Sequence, residues 1–152
     1  MINRFIEWAE KNGWKIVMNE ETVSLPDEIT SRYTIPEKWY DLISKLEICE
    51  NSTAETWFLA PRDYLPREEG FQWNEFEKQS LEWTDGDESV KAFWDKHLPI
   101  VMSVEGEYSY YAVNTDNGSI VHGCEPEYEE AETIADSFED FITKIISGDI
   151  SL

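Results

Sequence analysis

The chain has 152 residues and carries 33 acidic against 12 basic side chains, a formal net charge of −21. That charge repels nucleic-acid phosphates and anionic membranes, and it attracts basic partners. Hydrophobic residues at 41%, with aromatics at 14%, supply enough apolar area for a packed interior and exclude a disordered chain.

In chain order, Ile2, Phe5, Ile6 and Ala9 repeat at helical spacing, and Asn12-Gly13 signals the end of that helix. Trp14 to Val17 fits a brief extended segment. No clear period follows until Ile35-Pro36, although Leu25-Pro26 and Asp27 suggest a loop or a turn of helix. Pro36 suits a helix start, and Trp39, Leu42, Ile43 and Leu46 follow at helical spacing. Two strands joined at Asn51-Ser52-Thr53 are expected over 46–49 and 55–59, with Pro61 ending the second. The charged stretch 63–70 reads as a surface loop. Trp73, Phe76 and Gln79-Ser80 fit one face of a weak helix, while Trp83 is ambiguous. After the polar break at 84–88, Val90, Phe93, Trp94 and His97 mark another helix.

The strongest pattern lies in the last third. Segments 98–104, 108–113 and 119–124 are rich in β-branched and aromatic residues and are separated by turn residues, as strands of a meander are. Asn117-Gly118 is a hairpin signal, since such a turn needs positive φ angles. An amphipathic helix should cover the apolar face, with Ile134, Phe138, Phe141, Ile142 and Ile145 on one stripe and Gly148 at its end. Asp136 with Glu139 resembles a capping box at its start. The expected fold is a single α+β domain over residues 1–152: a mostly antiparallel sheet with helices packed on one side and at the ends. Trp39, Leu42, Phe58, Val101, Tyr110, Val113, Ile120, Phe138, Phe141 and Ile142 should share its core.

The same segments resemble the SUKH superfamily, which includes a fungal cell-wall synthesis regulator and many bacterial immunity proteins that neutralise polymorphic toxins. The resemblance rests on Leu98-Pro99, Tyr108 to Val113, Gly118 to Val121, the acidic stretch Glu125 to Glu132, and Ser137-Phe138 with Phe141. It extends upstream to Ile35-Pro36, Trp57-Phe58-Leu59 and Asp63-Tyr64. It implies the same α+β architecture and a non-enzymatic binding protein. That protein is either an immunity protein against a toxin domain or an intracellular regulatory or scaffold module.

The inventory for catalysis is thin. The two histidines are His97, on the apolar stripe of a helix end, and His122, on a strand with Cys124 two residues on. A His-x-Cys pair puts two potential metal ligands on one strand face, but no second pair lies nearby to close a site. Asn114-x-Asp116-x-Gly118 faintly resembles a calcium loop, and the hairpin explains the same residues more simply. No catalytic residue, metal site or cofactor is expected. Cys49 and Cys124 form no disulfide framework, the N-terminus lacks a signal-peptide pattern, and no apolar run has membrane-spanning length. The expectation is two reduced thiols in a cytoplasmic protein.

One run has functional character. Glu125, Glu127, Glu129, Glu130 and Glu132 surround Tyr128, and carboxylates grouped around an aromatic anchor suit a basic protein partner. The alternative is a solvated loop whose negative charge favours the start of the next helix. A second cluster, Asp85, Asp87 and Glu88, reads the same two ways.

Overall fold

The computed structural model describes residues 1–152. Seven strands form one antiparallel sheet, and its spatial order is the chain order. They are β1 (Lys15–Met18), β2 (Leu46–Glu50), β3 (Thr56–Phe58), β4 (His97–Ser103), β5 (Ser109–Asn114), β6 (Ile120–Cys124) and β7 (Glu132–Ala135). Six helices interrupt or flank it: α1 (Ile2–Lys11), α2 (Asp27–Arg32), α3 (Glu37–Ile43), α4 (Glu75–Trp83), α5 (Glu88–Lys96) and α6 (Phe138–Ser147). The α+β antiparallel architecture is as the sequence pattern predicts.

The helices cover more of the sheet than expected. Neighbouring residues of a strand point to opposite faces. Tyr111 lies 5.1 Å from Phe141 of α6, and its row neighbours Val101 and Phe58 continue under Phe5 of α1. Tyr110 points the other way, 5.2 Å from Trp94 of α5 and 6.0 Å from Phe76 of α4. Both faces of the sheet are therefore packed, and strands buried on both sides read as near-continuous apolar runs. This explains Leu98 to Met102, which is buried at every position. The ten expected core residues all belong to one contiguous buried cluster.

Local chemistry sets the element ends. Ser137 caps α6, its hydroxyl accepting the Asp140 N–H at 3.0 Å, while the Asp140 carboxylate accepts the Asp136 N–H at 3.0 Å. The cap is thus shifted one residue from the expected Asp136–Glu139 pairing. Gly148 ends the helix at φ 87°, as expected. Ile134 lies on β7 and not on the α6 stripe, and its carbonyl accepts the Lys144 ammonium at 3.0 Å. At the β5–β6 hairpin only Gly118 takes a positive φ, and the Asn117 side chain accepts the Ser119 N–H at 2.9 Å. Part of the expected surface loop 63–70 is buried. A 3-10 turn at Pro61–Tyr64 carries Tyr64 into the core, where its hydroxyl donates to the Pro99 carbonyl at 2.7 Å. No helix is long and apolar enough to cross a membrane.

Candidate protein-binding face

The acidic segment 125–132 connects β6 to the edge strand β7, which begins at Glu132. What holds it begins with Gly123. This residue pairs across the ladder with Tyr110, and a Cβ there would lie 2.5 Å from the Tyr110 hydroxyl. The missing side chain lets the Tyr110 ring lie over the strand. Its hydroxyl then donates to the Tyr128 carbonyl, fixing the middle of the segment to the sheet. Burial, then the charge of Glu129, raises the Tyr110 phenol, so it stays a donor across the physiological range.

Tyr128 is not the exposed anchor the sequence suggests. Its exposure is 0%. Phe76, Gln79 and Trp83 are spaced along one stripe of α4, and seven residues of helix place Phe76 and Trp83 about 10.5 Å apart. The Tyr128 ring lies 4.4 Å from Phe76 at 16° and 5.9 Å from Trp83 at 13°. It is inserted between them, and its hydroxyl reaches the Gln79 carboxamide oxygen at 3.4 Å. Burying the ring between two others gains apolar area and stacking together. A tyrosine flanked by carboxylates is thereby a core residue and presents no surface to a partner.

The exposed aromatic of this face is Trp83. It ends α4, caps the three-ring stack and remains 55% exposed. None of the other six tryptophans is exposed. The carboxylates of the acidic segment divide into engaged and free. Glu125 accepts the Tyr108 N–H at 3.0 Å, turning it toward the sheet. Glu127 and Glu130 are exposed and Glu129 is half-buried, whereas exposed Glu132 begins β7 opposite His122, in the row that faces α6 and not α4. None of the residues 125–132 enters an ion pair. Burial, then the charge of Glu125, raises the Tyr128 phenol. On either side of Trp83 in the chain, Glu82 and Asp85 are exposed. Asp87 caps α5, accepting the Ser89 N–H at 2.8 Å, and Glu88 pairs with Lys91 at 3.6 Å. Of the second cluster, then, Asp87 and Glu88 have structural partners.

The remaining candidates resolve into packing. His97 bonds the Phe93 carbonyl at 2.7 Å and stacks on the Phe93 ring at 4.0 Å. His122 stands opposite Tyr111 in the ladder, with ring centroids 4.6 Å apart. No three His, Cys, Asp or Glu side chains converge in metal-binding geometry. Both cysteines are free. Burial pushes the Cys49 thiol up to about 12, and burial with the nearby Glu107 charge raises the Cys124 thiol, so neither is an activated nucleophile. A cleft of about 260 Å³ beside β2 and β3 gathers Glu47, Asp63, Arg62 and Arg67, which pair with one another.

No family model matches the chain, and neither a curated protein nor a solved structure is found to be similar to it.

Proposed function

We propose that the protein is a non-enzymatic binding protein of SUKH type, an immunity protein that docks a basic toxin domain on the face around Trp83. The observation that carries this reading is the coincidence of an exposed tryptophan with carboxylates that have no internal cation. Aromatic anchors ringed by polar residues are where binding energy concentrates at protein interfaces. Free carboxylates around such an anchor select a partner of opposite charge and speed its encounter. A regulatory or scaffold module would use the same face for another basic protein.

The test is genetic and kinetic. The candidate partner is a basic domain encoded beside this gene. Co-expression of the protein should restore growth to cells producing that domain. Changing Glu127, Glu129 and Glu130 together to Gln keeps size and polarity while removing charge. The variant should associate more slowly with the domain and show a shallower salt dependence, with a melting temperature no lower than that of the wild type, since removing three negative charges relieves repulsion. Wild-type kinetics in the variant would place the docking face elsewhere.

A further inference from the structure

The exposed end of the ring stack is more specific than a general acidic surface. Resting on the binding reading above, we propose that Trp83 is a platform for an arginine of the partner, its guanidinium stacked on the indole and its N–H groups directed to the surrounding carboxylates.

Three observations converge on this group. The indole is held from behind, because Tyr128 fills the space between Trp83 and Phe76 and is itself tied to Tyr110. A ring held in this way meets a ligand with little loss of rotamer freedom. Secondly, the platform stands at the C-terminal end of α4, where the helix dipole is negative and the last turn holds no basic side chain. Thirdly, exposed Glu82, Asp85, Glu127 and Glu130 flank the stack in sequence on both contributing segments. The ring face, the helix end and the carboxylates all favour a cation.

Arginine suits the site better than lysine. A guanidinium is flat and weakly hydrated, so it lies on an indole and still presents its donors in the plane to carboxylates. An ammonium is a compact, strongly hydrated point charge that gains little from the flat surface.

The experiment uses capped hexa-arginine and hexa-lysine peptides as probes, titrated into the full chain at low ionic strength. Affinity and the Trp83 indole N–H resonance are followed together. Hexa-arginine should bind about 3- to 10-fold more tightly than hexa-lysine and should shift the Trp83 signal most. Trp83→Leu keeps apolar contact with Tyr128 but removes the aromatic face. It should lose the preference for arginine while retaining hexa-lysine binding; loss of the stack on Tyr128 lowers the melting temperature, so both proteins are titrated well below it. Equal binding of the two peptides by the wild type, or an unchanged preference in Trp83→Leu, overturns the platform and leaves the acidic docking face standing. Failure of both peptides to bind overturns the docking face as well.

Discussion

Gly123 shows how much one missing side chain can organise. The Tyr110 ring occupies the space above it, and through the Tyr110 hydroxyl the acidic segment is fixed to the sheet. Gly123→Ala puts a methyl group where the Tyr110 hydroxyl and ring edge lie, and a ring pinned by Trp94 and Phe76 has little room to yield. Overpacking of this kind costs about 1 to 3 kcal/mol. The urea midpoint should fall accordingly, with amide exchange in residues 125–130 rising as the Tyr110 bond is disturbed. An unchanged midpoint would mean that the ring moves aside freely. His97 offers a second test. Burial holds its imidazole below the usual 6.5, outweighing the bond to the Phe93 carbonyl and the charge of Asp116. The unfolded chain therefore takes up a proton at higher pH than the folded one. The contribution is constant above about pH 6.5, and stability is lost as pH falls through that value toward the folded pKa. His97→Gln keeps a donor for the carbonyl but cannot titrate. Urea unfolding between pH 7.5 and 5.5 should show the wild type losing stability relative to the variant, and parallel curves would remove His97 as the cause.

At the scale of elements, α6 is where the chain's apolar period translates most directly into structure. Phe138, Phe141, Ile142 and Ile145 are all buried on the stripe the spacing marks. Phe138→Ala should cost about 3 to 5 kcal/mol, since the ring is buried and leaves a cavity. Ser137→Ala removes only the cap and should cost about 0.5 to 2 kcal/mol. The two substitutions probe packing and capping in the same turn, and thermal unfolding should rank them in that order. The helices and strands of the core were legible because a helix or strand with a long apolar face writes its period into its own residues. β7 was not: it has four residues, two of them exposed, and Ile134 happens to continue the spacing of α6. The candidate face was half legible. The free carboxylates of 125–132 stand where the sequence put a charged surface. Which aromatic is exposed there was not legible, because the burial of Tyr128 is decided by Phe76 and Trp83, about fifty residues earlier in the chain. Charge next to an aromatic in sequence says nothing of which partner ring lies across the fold.

On the scale of the whole molecule, the charge of −21 acts on folding and on binding with opposite sign. Its ion pairs engage only six of the 12 basic side chains, and most of the 33 carboxylates have no cationic partner. Bringing them together on a compact surface is destabilising by self-repulsion. Several of the ion pairs are largely exposed, such as Lys91–Glu88 and Lys96–Asp116, and exposed pairs contribute little. Raising the salt concentration from about 0.01 to 1 M shortens the screening length from about 30 to 3 Å. Repulsion between distant carboxylates then fades more than attraction within close pairs. The melting temperature of the free protein should therefore rise with chloride salt, by about 2 to 4 °C for each kcal/mol of repulsion relieved. The same titration should weaken association with a basic partner, because there the screened interaction is attractive. One salt series, read once by melting and once by binding rate, separates the two. A melting temperature that falls with salt would show that the ion pairs outweigh the uncompensated charge. A binding rate indifferent to salt would show that the acidic surface does not steer the partner.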